Sequence, residues 1–402
     1  MNIRKILVFA LHIFLLTQNY SYGQTSKIIN GRVLEKNTKI GVSYAHIIVS
    51  GSSLGTVAND AGFFQINIPE EHTNSFLVFS SVGYGRDSIR ASDFNQINGI
   101  IFLSPRTITL SEVEVTGKKL DAMEILKEAS KRVKVNYYQE QFNQELFYRT
   151  QVRRNDTITF NEEASIITFD KSGYQARAKA YNSIFGEILQ LRNTTNNRSN
   201  DEWFGAGSIW KVFTHDIILD NNNILHKSNA YTVEVSNITE FEGQSVYEIS
   251  FICKNPSAVT TGFGFPDPEA ATGKIYITED DFAVVKFEIC IKRKPYDYKQ
   301  SKLRSVDWTV LLVQSYKKYK GKYFLHHSKQ IHSQNLLNVE TGKKDRVIEI
   351  FDLLSASVNI DNVVPIKVPI DRVVKGSTVK EDKFFWKNHN IAIEDLGITS
   401  CN

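Results

Sequence analysis

Gly55-Thr56-Val57-Ala58-Asn59-Asp60-Ala61-Gly62-Phe63-Phe64 reads as a strand, a tight turn and a second strand. Asn59-Asp60-Ala61-Gly62 carries the turn chemistry, with Gly62 suited to a positive φ. Thr56 to Ala58 enters the turn and Phe63 to Ile68 leaves it. Phe64, Ile66 and Ile68 face one way while Gln65 and Asn67 face the other, the alternation of a half-buried strand. Working outward, Lys27 to Leu34 and Ser43 to Val49 read as earlier strands. Ser75 to Val82 is a continuous apolar run, expected to be buried on both faces, and Ile100 to Leu103 closes the unit. About seven short strands in about 80 residues predict a β-sandwich.

Four pieces occur in order: Gly31-Arg32-Val33, Gly41-Val42-Ser43-Tyr44-Ala45-His46-Ile47, the Gly55–Phe64 stretch, and Phe79-Ser80-Ser81-Val82-Gly83-Tyr84. Together they resemble the carboxypeptidase regulatory-like domain. The resemblance implies a transthyretin-like sandwich, common at the N-termini of exported Gram-negative proteins that include TonB-dependent outer-membrane receptors. Thr109-Leu110-Ser111-Glu112-Val113-Glu114-Val115-Thr116-Gly117 is similar to the strand that follows the domain in such receptors. Only about 285 residues come after it, without serial lipid-facing strands, so a transporter barrel does not fit.

The first residues predict export. Arg4 and Lys5 precede an apolar run from Ile6 to Leu16, broken by His12, and Ser21 and Gly23 offer small residues for cleavage before Gln24. No cysteine lies near the cut, so a lipoprotein anchor is not implied. Cleavage removes two basic residues and no acid, taking the formal charge from +4 to +2. So balanced a chain does not suggest a nucleic-acid binder. The expected location is the periplasm or the periplasmic face of the outer membrane.

Ala122, Ile125, Leu126, Ala129 and Val133 recur at helical spacing, and Asn136-Tyr137-Tyr138 ends that helix. Beyond it, runs with strand character are Glu145 to Arg153, Thr157 to Phe169, Tyr231 to Thr239, Ser245 to Cys253, Gly273 to Thr278, Phe282 to Lys292, Ser305 to Tyr316, Tyr323 to His332 and Arg346 to Leu354. Short turns such as Glu279-Asp280-Asp281 imply an antiparallel meander. The predicted class is mainly β. A signal at 1–23 precedes a seven-stranded sandwich at 24–106, a linker strand and helix at 107–140, and a curved antiparallel sheet or half-barrel at 141–402. Phe142 through Tyr148-Arg149, Gly273-Lys274-Ile275-Tyr276-Ile277, the Phe282-Ala283-Val284-Val285 strand and Tyr319-Lys320-Gly321-Lys322-Tyr323 resemble the C-terminal halves of uncharacterised exported proteins with the same first domain. The strand, acidic turn, strand pattern is similar to the sheet of periplasmic lipoprotein carriers.

No catalytic constellation is apparent. Gly51-Ser52-Ser53-Leu54-Gly55 fits G-x-S-x-G in letters, but a strand rather than a helix follows, so it reads as a hairpin loop. His326, His327 and His332 cluster without the spacing of a zinc peptidase. On a regular strand His326 and His327 point to opposite faces, whereas His326 and His332 share one. Gly262-Phe263-Gly264-Phe265-Pro266 lacks a phosphate-loop lysine and reads as a loop with exposed aromatics. Among Cys253, Cys290 and Cys401, alternation puts Cys253 on an apolar face and Cys290 on a polar one, so those two pair only across a bulge.

Some residues are candidates for binding. Trp203, Phe204, Trp210 and Phe213 either line a cavity or simply pack. Lys292-Arg293-Lys294, Lys299, Lys302 and Arg304 surround Tyr296 and Tyr298, and Tyr316-Lys317-Lys318-Tyr319-Lys320 forms a second basic-aromatic segment. Both suit anionic head groups or an acidic partner, or else lysine-guarded strand ends. Phe384-Phe385-Trp386 reads as a tail that docks back on the body or meets a partner. The sequence therefore predicts a non-enzymatic exported protein with no metal or cofactor, binding or assembling with a protein or lipid partner at the envelope. The alternative is a carrier of a lipid or other apolar ligand in the C-terminal domain.

Overall fold

The computed structural model describes residues 26–108, 121–175, 180–195, 208–298, 302–373, 381–397 and 401. The proposed signal thus falls outside the described residues.

The first unit contains β1 (Ser26–Glu35), β2 (His46–Val49), β3 (Gly55–Val57), β4 (Phe63–Pro69), β5 (Phe76–Ser80), β6 (Asp87–Arg90) and β7 (Ile100–Leu103). They make a three-stranded sheet, β4-β1-β7, and a four-stranded sheet, β3-β2-β5-β6. This is the predicted seven-stranded sandwich. Val33, Ile47, Phe64, Phe79, Phe94 and Leu103 fill the space between the sheets. Phe64 meets Phe79 and Phe94 edge-on, with ring centroids 5.6 and 5.7 Å apart. In β4 the alternation holds, with Phe64, Ile66 and Ile68 buried and Gln65 and Asn67 half-buried. Gly62 sits at φ +84°, and a Cβ there would lie 2.2 Å from the Val33 carbonyl oxygen, so both conformation and space demand glycine.

The apolar run from Ser75 to Val82 is not buried on both faces. A sandwich has two layers, so alternate residues of β5 look outward, and Phe76 is 43% exposed beneath the Arg90 guanidinium. Neighbouring β6 is an edge strand and covers neither face.

β8 (Thr107–Ile108) leaves the sandwich and joins the second unit. Helix α1 (Ala122–Asn136) follows. Asp121 accepts from Met123 N and Glu124 N, while Asp121 N donates to Glu124 Oε2 at 3.3 Å, a capping box. Its predicted stripe, Ala122, Ile125, Leu126, Ala129 and Val133, is buried.

The second unit holds β9 (Phe142–Arg154), β10 (Thr157–Asp170), β11 (Ile184–Asn193), β12 (Tyr231–Phe241), β13 (Gln244–Cys253), β14 (Pro268–Thr278), β15 (Val284–Arg293), β16 (Tyr296–Tyr298), β17 (Leu303–Tyr319), β18 (Lys322–Asn338) and β19 (Lys344–Asn359). With β8 they form one 12-stranded sheet, ordered β11-β10-β9-β19-β18-β17-β15-β14-β13-β12-β8, with β16 paired to β17. It is antiparallel and not closed into a barrel. All nine expected runs are strands, with β11 and β16 in addition. Two meanders, β9 to β11 and β12 to β19, meet where β19 pairs with β9, β16 lies off the path and β8 pairs with β12 at the far edge.

One face of this sheet is packed by α1, by α2 (Trp210–Thr214) and by the turns after α2, around Tyr137, Tyr148, Tyr316, Phe324 and Phe351. The opposite face meets the sandwich and a tail, residues 381–397, that contains a short helix, Lys383–Asn388.

Candidate functional site

The seam between sandwich, sheet and tail concentrates the buried polar groups. Val57 of β3 packs with Phe147 of β9, Leu354 of β19 and Trp386 of the tail. Ser53, in the β2–β3 hairpin, accepts from Val358 N through Oγ at 3.1 Å. Its carbonyl accepts from Lys317 Nζ at 2.7 Å, and the same amine donates to the Ser355 carbonyl at 3.1 Å. Burial lowers the Lys317 ammonium to about 7. Ser53 is thus a docking residue in a hairpin, as its loop sequence suggests, and has no place for a nucleophile elbow.

The histidines are arranged by a bulge. Ser315 pairs with His327 but Tyr316 pairs with Leu325, which leaves His326 as the extra residue. The extra residue brings His326 and His327 to the sandwich side together, contrary to strict alternation. His326 stands 4.6 Å ring to ring from His46, and its two nitrogens lie 3.2 Å from the carbonyl oxygens of Thr56 and Ser355. His327 stacks on Tyr44 at 5.4 Å. His332 emerges on the other face, against Trp308 and Phe351, so it does not share a face with His326. His46 Nε2 lies 2.8 Å from Ser315 Oγ. Burial, then the charges of His327, Lys317 and Lys286, lower His46 to about 3. His326 is also held well below its ordinary value, chiefly by burial.

Beside these rings lies an ion network. Arg149 of β9 donates to Glu163 Oε1 of β10 through Nε at 2.8 Å and Nη2 at 2.6 Å, and to the Ala392 carbonyl at 2.8 Å. Arg192 of β11 donates to Glu163 Oε2 at 2.6 Å and lies over Trp386. Asp352 of β19 accepts Lys329 at 3.3 Å and His327 at 2.8 Å, and Arg149 stands 3.7 Å away. Burial opposes charge on both Lys329 and Asp352. Mutual attraction outweighs it, holding the lysine above and the aspartate well below their ordinary ranges.

The tail completes the network. Asp395 pairs with Lys329 and accepts from Tyr44 Oη at 2.9 Å and from Asp60 N at 3.0 Å. Tyr44 sits at φ +54°, unusual for a bulky residue, which places its ring between His327 and the Lys329 ammonium. Asn59 Nδ2 donates to the Glu394 carbonyl at 2.7 Å, and its Oδ1 accepts from Ala61 N and Phe63 N. Asp60 accepts from Leu396 N and Gly397 N at 2.8 and 2.7 Å. The Asn59-Asp60-Ala61-Gly62 turn is therefore both a turn and the dock for the tail. The charged groups Arg149, Glu163, Lys329, Asp352 and Asp395 at the seam answer other parts of the same chain, while His46 Nδ1, His327 Nδ1 and Trp386 Nε1 are buried without a hydrogen-bond partner among the described residues. Among the described residues, no three His, Cys, Asp or Glu side chains are placed to hold a metal ion.

On the α1 side, Trp210 packs on Tyr181 at 5.3 Å and Phe213 is buried. Trp203 and Phe204 lie outside the described residues. A void of about 10 Å³ remains beside Phe142, Tyr174, Phe213 and Asp216, the size of one water. Cys253 is buried and unpaired, while Cys290 is bonded to Cys401, with Cα atoms 5.6 Å apart. Alternation placed Cys253 and Cys290 in different surroundings correctly, and the partner is the cysteine more than a hundred residues on.

The basic-aromatic segments are largely neutralised. Lys317 and Tyr316 are buried, and Lys318 and Lys320 pair with Asp281 and Asp361. Lys292 pairs with Glu269, Lys302 with Glu340 and Arg304 with Asp297. Arg293 is buried, donating to the carbonyls of Gly264 and Pro266. Lys299 lies outside the described residues. In the neighbouring loop Phe265 is exposed but Phe263 is buried against His215. The tail docks as Trp386, while Phe384 stays exposed.

An open concavity lies elsewhere, on the sandwich. A groove of about 490 Å³ runs between β6 and β7, the free edges of the two small sheets. Ile89, Ile97, Ile101 and Phe102 give it apolar walls, with Lys36, Arg86 and Arg106 around them. Nothing in the sequence marked it, because it forms only where two edges end side by side.

No curated protein matches the chain in sequence. Solved structures with partial likeness include a DUF1329 family protein from Desulfovibrio piger, at 10% identity over 61% of this chain and 96% of that one, with a TM-score of 0.27. A LolA superfamily protein from Nitrosomonas europaea has 9% identity over 61% of this chain and 96% of its own, with a TM-score of 0.22. A Bacteroides fragilis protein described as membrane-associated and of unknown function has 10% identity over 83% and 99%, with a TM-score of 0.15. The family model for the CarboxypepD_reg-like domain matches residues 29–115. The sandwich and the strand that leaves it are a CarboxypepD_reg-like domain.

Proposed function

We propose that this is a non-enzymatic exported protein that binds or assembles with a partner at the periplasmic side of the outer membrane. The observation that carries the reading is the β6–β7 groove, an open amphipathic concavity on the sandwich. Its support is twofold. The buried ionisable groups of the seam are engaged with one another, which suits holding two units together rather than turning over a substrate. Among the described residues the face of the large sheet under α1 is packed with aromatic side chains, and a void beside them has room for one water. The receptor-like first domain and the basic, apolar N-terminal segment motivate the location.

The test is a photo-crosslinking amino acid placed at Phe102 in the groove or at Val339 on a distant turn, in cells fractionated afterwards. An adduct of defined mass at Phe102 alone, in envelope fractions with the leader removed, is expected. A cytoplasmic, uncleaved protein without adducts sinks the proposal. Lipid retained by the purified protein in native mass spectrometry would turn the reading to a carrier.

A further inference from the structure

We propose that the groove accepts an extended acidic segment of a partner protein, which adds to the free edge of β7 as a further strand. The inference rests on the binding role above and names the chemistry of its partner.

Pairing parity shows which backbone groups are open. Arg32 N donates to the Gly99 carbonyl and Lys36 N to the Leu103 carbonyl, each at 2.8 Å. In a parallel ladder this turns the N–H and C=O of Ile101 and Leu103 towards β1, and those of Ile100 and Phe102 away from it. The other rim is less available. Ala91 N donates to the Ser75 carbonyl, so the backbone of Ser88 and Arg90 faces outward on β6. Ser88 N is already taken by Asp87 Oδ1 at 2.7 Å. β7 is therefore the template at Ile100 and Phe102, the stretch before Ser104, whose carbonyl already accepts from Gly85 N at 2.9 Å, and a short free edge of this kind is what strand addition uses.

Charge selects the occupant. Lys36, Arg86 and Arg106 are exposed around the groove, against a single carboxylate, Asp87, that serves its own strand. A basic strand meets like charge there, and an acidic one is drawn in. Ile89, Ile97 and Ile101 offer apolar contacts between the strand positions that face the cations. A segment in which acidic and apolar residues alternate presents each type to its own surface, because strand side chains alternate.

The probe is a short fluorescent peptide of alternating valine and glutamate, with a valine and lysine peptide as control, added to the mature full-length protein. The glutamate peptide should bind at least about tenfold more tightly, with a preference that weakens as salt rises. Arg86→Glu with Arg106→Glu should abolish the preference. Phe102→Pro, which removes an outward N–H from an edge without changing charge, should weaken binding while the melting temperature holds. The Ile100 and Phe102 amides should exchange more slowly in the complex.

Equal binding of the two peptides, or unchanged preference in the double variant, overturns the proposal. Binding to phosphatidylglycerol vesicles without binding to the peptide overturns it in favour of a membrane contact. If the envelope adduct at Phe102 persists in the double arginine variant, the acidic strand falls and the binding role stands. If the wild type forms no adduct, the binding role itself falls.

Discussion

Lys317 Nζ, carried by the large sheet, donates to the Ser53 carbonyl of the sandwich across 2.7 Å while wholly buried. Its folded pKa of about 7 lies below the roughly 10.4 of an unfolded lysine. Between those values the unfolded chain binds the extra proton, so stability rises as pH climbs from about 7 towards about 10. Lys317→Met should flatten that slope in urea unfolding at pH 7, 8 and 9. His46, lowered to about 3, has the same sign in a more acidic window, with stability lost as pH falls from about 6.5 to about 3. An unchanged alkaline slope in Lys317→Met would show that the amine is charged in the fold.

Arg149 answers Glu163, Asp352 and a tail carbonyl from one guanidinium. Arg149→Leu leaves buried carboxylates without that partner and should cost about 3–5 kcal/mol by denaturant unfolding. Glu163→Gln in the same background should recover part of the loss, because one of the stranded charges is gone. Strictly additive effects would mean that the two residues do not interact.

Asp60 holds the tail through two backbone N–H groups. Asp60→Ala should cost about 1–2 kcal/mol and speed limited proteolysis between residues 389 and 397, while the sandwich core persists. A cleavage rate equal to that of the wild type would contradict the docking geometry.

Cys290 and Cys401 close a loop with a sequence separation of 111. Denatured without reductant, the protein should take up one alkyl group, at Cys253, and after reduction three. Cys401→Ser should lower stability by up to about 5 kcal/mol, chiefly by releasing the unfolded chain. Three alkylations without reductant would refute the pairing.

The sandwich was legible because its turn and alternation are local. Gly62 answers a positive φ within its own hairpin, and Phe64, Ile66 and Ile68 keep period two. β11 was harder to see, since Gly186 interrupts its apolar pattern. The reason lies far off in sequence, where Ile370 packs so closely that a Cβ would lie 2.8 Å from its Cδ1. The facing of His326 depended on a bulge, which no two-residue period announces. Asp60 reads as a turn residue from its neighbours, and its second duty is visible only once residues 396 and 397 arrive beside it. The groove arises from two edges belonging to different sheets, so no stretch of chain encodes it.

The tail enters the seam more than three hundred residues after the turn that receives it. A chain halted before Ala392 would leave Arg149 without its carbonyl partner, Lys329 without Asp395, and the Asp60 carboxylate without its two N–H donors. The sandwich can fill its own core early, yet its attachment to the large sheet stays electrostatically unfinished until residues 392–397 are in place. Joining the two units thereby becomes a test of length, and an interrupted product carries exposed, mismatched charge at the site where a finished one is sealed.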